Sequence, residues 1–103
     1  MIKRYLRHED GRPFGVVVVD ESNHIGWSLC SPLDHFNKKR GEQIAINRLG
    51  RDWIAEIEAR RPVHKECYKV NVKRNGSSVI YNSRVDAVLD KATYLYDKVK
   101  GDA

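Results

Sequence analysis

FGVVVVDESNHIGWSLC, residues 14–30, is the stretch on which the fold turns. β-Branched and aromatic residues flank the polar cluster Asp20, Glu21, Ser22 and Asn23, the pattern of two strands about a turn. A four-residue loop there pairs Val18 with Ile25, Val16 with Trp27 and Phe14 with Leu29, gathering six apolar side chains on one face. On the opposite face Val17 and Val19 meet Gly26 and His24, and the small residues there leave room for another element to approach. Upstream, IKRYLR at 2–7 adds an edge strand through the turn His8, Glu9, Asp10 and Gly11.

A second hairpin lies further along, in CYKVNVKRNGSSVIYN at 67–82. Asn75-Gly76 is the preferred two-residue turn. It pairs Val72 with Val79 and Val70 with Tyr81 on an apolar face. Lys69 with Asn82, Asn71 with Ile80, and Lys73 with Ser78 make a mostly polar, basic face.

Between the hairpins, residues 32–61 read as helical. Ser31 is a natural N-cap with Pro32 at the first helical position and Asp34 in the first turn. Leu33 and Phe36 begin an apolar face, and Ile46, Leu49, Trp53 and Ile57 continue it at helical spacing. Arg60, Arg61 and Pro62 end the run. Gly41 costs about 1 kcal/mol inside a helix, so the expectation is a short helix, a basic turn at 37–41, and a main helix containing Gly50. A last helix over 83–99, capped by Ser83 or Asn82, buries Val85, Val88, Leu89, Ala92, Leu95 and Val99.

The fold class expected is α+β over a single domain, 1–103: an antiparallel sheet of two β-hairpins, with a further N-terminal edge strand, and two main helices packed on one face, in the order (β)ββ-α-ββ-α. With 103 residues, 41% of them hydrophobic, one modest core is available. No apolar run reaches the roughly 20 residues needed to cross a membrane. The N-terminal MIKRYLRHEDG has no apolar core of a secretory signal. A soluble, cytoplasmic protein is therefore expected, as a monomer or homodimer.

The net charge of +5 is uneven. Residues 37–84 hold twelve Lys/Arg against five Asp/Glu, while the segments before and after are each slightly acidic. Three of these cations have a helical partner four residues away: Lys38 with Glu42, Arg48 with Asp52, and Arg60 with Glu56. Lys39, Arg40, Arg51, Arg61, Lys65, Lys69, Lys73, Arg74 and Arg84 have none. The candidate nucleic-acid-binding set is Lys38, Lys39, Arg40, Arg51, Lys65, Lys69, Lys73, Arg74 and Arg84, a surface suited to following a phosphate backbone. The plain alternative is a solvated basic surface that serves solubility. No RNP-like aromatic pair, GxxG clamp or zinc-finger spacing is present.

Cys30, His35, His64 and Cys67 have the residue types of a tetrahedral zinc site, but the spacings C-x4-H and H-x2-C are not common ones, so reduced thiols and unliganded histidines are the expectation. No cofactor is implied. The sequence lacks a nucleophile elbow, P-loop, HExxH or dinucleotide fingerprint, and Asp20, Glu21 and Asp34 sit in turns or caps where backbone needs explain them. A non-enzymatic protein is expected, with a small nuclease as a lesser alternative that would require Asp34, Lys38 and Glu66 to converge.

The stretch IGWSLCSPLDHFNKKRGEQIAINRLG, residues 25–50, resembles a pattern in small proteins of tailed bacteriophages and prophages: S-x-C, then D-x-F-x-K-K-x-G-x-x-I-A-x-x-R. Ser28, Cys30, Asp34, Phe36, Lys38, Lys39, Gly41, Ile44, Ala45 and Arg48 carry it. It covers about a quarter of the chain and brings no catalytic or binding residue with it. It implies a phage origin, an infected bacterial host cell and a small accessory role. The expected partner is nucleic acid or a host nucleoprotein, met through phosphate contacts without strong base readout. The alternative is a host-takeover or anti-defence protein that binds and inhibits a host protein through an apolar patch or a sheet edge.

Overall fold

Val16, Val17, Val18 and Val19 are each essentially inaccessible to solvent, so their strand is covered on both faces. The computed structural model, which describes residues 1–30, 35–60, 69–74 and 76–101, shows what covers it. Strands β1 (Ile2–Arg7), β2 (Pro13–Val19) and β3 (Ile25–Leu29) form an antiparallel sheet with β2 in the centre. Helices α1 (Lys38–Asn47) and α2 (Trp53–Glu58) follow, then a separate two-stranded sheet, β4 (Val70–Arg74) and β5 (Ser77–Tyr81), and α3 (Arg84–Gly101). The α+β class and the expected edge strand β1 are both present.

The helices do not share one face. Val17, Val19, Ile25 and Trp27 pack with Val85, Val88, Ala92 and Leu95 of α3, and with Ile57 of α2. Val16 and Val18 point the other way, onto Ala45 of α1, with Tyr5, Phe36, Ile46 and Leu49 around them. Four consecutive valines with no polar alternation call for a layer on each side, as in any strand buried on both faces. The two hairpins likewise do not merge into one sheet. β4 meets the end of β1 through a single bridge, His8 with Val72, and the Glu9 carboxylate accepts from Asn71 Nδ2 (3.3 Å) and Ser78 Oγ (2.6 Å).

The register of the first hairpin is one residue away from that expected. Val19 pairs with Ile25, Val18 with Gly26, Val17 with Trp27 and Val16 with Ser28. The loop is therefore 20–24 and not 20–23. Asp20 sets it: Oδ1 accepts from the Ser22 N–H (3.0 Å) and the His24 N–H (2.8 Å), while Oδ2 lies 3.0 Å from His24 Nδ1. Asn23 takes the left-handed conformation, φ 63°, which Asn tolerates better than most residues. A slip of one exchanges the faces. Trp27 and Ile25 thus go to the α3 side, and Gly26 and Ser28 to the α1 side.

That exchange places Gly26 under α1. A Cβ on Gly26 would stand 1.8 Å from the Ala45 carbonyl oxygen and 2.8 Å from its carbon. The helix backbone rests on the strand at this point, so the expectation that small residues admit another element is met here.

The two glycines of the helical region exchange their expected roles. Gly41 lies inside α1, which begins after Asn37, whose side chain accepts from the Arg40 N–H at 3.0 Å. It is small because the Phe36 ring occupies its side; a Cβ would stand 2.5 Å from Phe36 Cζ. Gly50, with φ 85°, ends the run. Asp52 then caps α2 by accepting from the Ala55 N–H at 3.2 Å. The expected cap and start at Ser31, Pro32, Leu33 and Asp34, and the expected end at Arg61 and Pro62, lie outside the described residues; His35, Phe36 and Asn37 are not helical.

The second hairpin keeps the expected register, Val70 with Tyr81, Val72 with Val79, and Lys73 with Ser78. Ser83 caps α3, its hydroxyl accepting from the Asp86 N–H at 3.2 Å. Among the described residues no helix is long and apolar enough to cross a membrane.

Candidate nucleic-acid interface

Lys38, Lys39 and Arg40 occupy the first turn of α1 and are exposed, and that turn contains no acidic residue. Cations at a helix N-terminus oppose the macrodipole, at a cost of about 0.3–1 kcal/mol each. Stability alone does not favour this arrangement, whereas an approaching anion meets the side chains and the positive helix end together. The Lys38 ammonium also stands 5.3 Å from the centre of the Tyr5 ring.

None of the three expected intrahelical ion pairs is formed. Glu42 turns to the sheet, accepting the Tyr5 hydroxyl hydrogen and lying 3.4 Å from Lys3 Nζ. Burial and the Glu42 carboxylate push Tyr5 up to about 12, and the Tyr5 bond in turn holds Glu42 below the usual carboxylate range. Asp52 is used as the cap of α2, and Glu56 pairs with Arg51 at 3.2 Å. Gly50 is the physical reason for one of these losses: the helical run breaks there, so Arg48 and Asp52 do not share a helix. Arg60 lies beyond the end of α2, and Glu56 faces back toward Arg51.

Arg48 and Arg60 are thereby released toward Trp27. Arg48 Nη1 donates to the Trp27 carbonyl at 3.0 Å, and its guanidinium lies 4.1 Å from the indole centre, with that of Arg60 at 5.9 Å. Cys30 N–H bonds Phe14 O, and Asp20 N–H bonds His24 O, so the even-numbered residues of β3 face β2. The Trp27 carbonyl therefore points off the sheet edge, where Arg48 covers it. Burial, followed by the neighbouring charge of Arg60, lowers Arg48 from the ordinary arginine value; a guanidinium stays charged nonetheless.

Trp27, Arg48, Arg51, Glu56, Ala59 and Arg60 line an open cavity of about 220 Å³. The Trp27 side chain is buried, and its Nε1–H has no hydrogen-bond acceptor among the described residues. A second cavity, of about 550 Å³, lies between the end of β3 and the start of α1 and is lined by Ser28, Cys30, His35, Phe36, Asn37 and Arg40 among others. Comparison of the chain with protein-family models, curated proteins and solved structures finds no match.

The remaining candidates divide. Arg74 is drawn inward: Nη1 donates to Asp90 at 2.9 Å and to the Tyr81 hydroxyl at 3.3 Å, and the guanidinium lies 5.2 Å from the Tyr94 ring centre. Arg84 Nη1 donates to the Cys30 carbonyl at 3.1 Å and lies 5.3 Å from the centre of Phe14. Both serve the fold on the α3 side, across the sheet from α1. Lys69 and Lys73 are exposed on the outer face of the second hairpin, which shares no substantial contact with α1. Among the described residues no substantial contact between α1 and the second hairpin joins the helical cations to Lys69 and Lys73. Lys65 lies outside the described residues.

Of the zinc set, Cys30 and His35 border the larger cavity together, while His64 and Cys67 lie outside the described residues. Among the described residues no three His, Cys, Asp or Glu side chains gather as metal ligands would. Sequence reasoning missed Arg48 and Arg60 because it assigned each a carboxylate. The signal that could have found them is Gly50 followed by Asp52, a helix stop and a helix start two residues apart.

Proposed function

We propose that this is a small non-enzymatic binding protein, phage-encoded and acting in the cytoplasm of an infected bacterium, that engages nucleic acid through the α1–α2 side of the fold. One observation carries the reading. Lys38, Lys39, Arg40, Arg48 and Arg60 all lie on or beside these two helices, and none forms a close ion pair with a carboxylate among the described residues. Such cations neutralise phosphates and release condensed counterions, which gives affinity without base readout. The phage origin and host-cell setting rest on the resemblance of residues 25–50. Large exposed apolar residues are scattered, Ile54 on α2, Ile80 on β5 and Tyr94 on α3, which favours a charged over an apolar interface.

Fluorescence anisotropy with labelled duplex DNA, single-stranded DNA and RNA tests this. Binding at low salt should weaken linearly on a log–log plot, with a slope of roughly −0.9 per phosphate neutralised on duplex DNA. Lys39→Glu with Arg40→Glu should reduce it at least tenfold, while Lys98→Glu on α3 should not. No binding of any of the three nucleic acids at low salt refutes the proposal.

A further inference from the structure

We infer that the cavity between α1 and α2 binds a phosphomonoester group, and that the protein therefore recognises the phosphorylated end of a nucleic acid strand. The inference rests on the nucleic-acid reading for the identity of the strand, but not for the chemistry of the cavity.

Charge and size point to this ligand. Among the described residues, Arg48, Arg51 and Arg60 line the cavity against one carboxylate, Glu56, which pairs with Arg51 at 3.2 Å. The excess of two positive charges matches a phosphomonoester, which carries about −1.5 to −2 at neutral pH. A bridging phosphodiester carries only one negative charge and matches less well. The volume of about 220 Å³ falls below the roughly 300 Å³ at which pockets begin to hold drug-sized molecules. A phosphoryl group with water fits that space. Guanidinium groups are suited to such a ligand because their fixed fork of donors matches phosphate oxygens.

Trp27 reports on the site. It borders the cavity and only 2% of it is exposed. Two guanidiniums over the same indole make its environment sensitive to any anion that draws them away.

The probe is Trp27 emission in a Trp53→Phe background; Trp53 stacks on Tyr96 and does not line the cavity. Inorganic phosphate is titrated first. Then 5′-phosphorylated and 5′-hydroxyl oligonucleotides of one sequence are compared by anisotropy. The expected result is a saturable emission change with phosphate, and about tenfold or tighter binding of the phosphorylated strand. Arg60→Gln should abolish both. Arg51→Gln, at a side chain 58% exposed, keeps the test decisive should Arg60→Gln disturb folding. Equal, salt-sensitive binding of the two strands with no phosphate response overturns the inference while leaving the nucleic-acid reading intact. A phosphate response without binding of either strand upholds the phosphomonoester cavity and overturns both the strand-end recognition and the nucleic-acid reading.

Discussion

Replacing Gly26 with alanine should remove α1 from its seat. The new Cβ would fall 1.8 Å from the Ala45 carbonyl oxygen, where ordinary contact begins at about 3.4 Å. The helix must withdraw by about 1.6 Å, because backbone stands on both sides and no side chain can rotate away. Withdrawal opens the seam among Val16, Val18 and Ala45, all fully buried, and a gap of 0.5–1 Å already forfeits a quarter to a half of a contact's attraction. Overpacking of this kind costs about 1–3 kcal/mol, and a backbone-on-backbone clash belongs at the upper end. A loss of about 3 kcal/mol corresponds to a drop in Tm of roughly 15 °C for a domain of this size. Urea unfolding followed by far-UV circular dichroism measures it, with a lower midpoint and an unchanged slope expected. A Gly26→Ala protein within about 0.5 kcal/mol of the parent would refute the close approach, and with it the observed register of β2 and β3.

Gly50→Ala discriminates between the two readings of the helical region by sign. In the observed left-handed conformation it should cost about 1–2 kcal/mol, whereas inside a continuous helix it would stabilise by about 1 kcal/mol; urea midpoints decide. Asp20→Ala removes the acceptor that holds the 20–24 loop and should cost about 1–2 kcal/mol, with enhanced amide exchange at Ser22 and His24 as the local readout. His8 is held below the ordinary histidine value by burial and then by the Arg84 and Arg12 charges. The unfolded chain therefore binds its proton more readily, so stability should fall as pH drops through about 6.5. His8→Gln should flatten that part of the profile. The further loss below about pH 4.5 should remain, because Glu42, Asp20 and Asp10 are depressed in the fold and lose their contribution on protonation.

The elements were legible where composition and turn chemistry agree. Asn75-Gly76 defined the register of the second hairpin, and the apolar stripe with Ser83 defined α3, because local signals there compete with nothing. The first hairpin misled at a single residue: counting polar positions gave a loop of four, but an Asp20 side chain bonding two backbone N–H groups makes five the closed form. The glycines misled for a related reason. Helix propensity ranks Gly41 and Gly50 alike, and only the tertiary neighbours, a phenyl ring beside one and none beside the other, decide which is packed and which is bent. The candidate site inherited that error. Once the helix was taken to run through Gly50, Arg48 and Arg60 acquired carboxylates they do not have. Arg74 and Arg84 lacked local partners in the sequence, and Asp90 and the Cys30 carbonyl reach them only through the fold.

Arg48 also stands guard over an edge. Its bond to the outward carbonyl of Trp27 blunts the flank of the three-stranded sheet where β3 has no neighbouring strand among the described residues. If an anion competes for that guanidinium, ligand occupancy and edge protection draw on the same side chain. A chain deprived of it would offer an uncovered rim to a second molecule, so the cost of losing Arg48 would be read first as self-association and not as weakened binding.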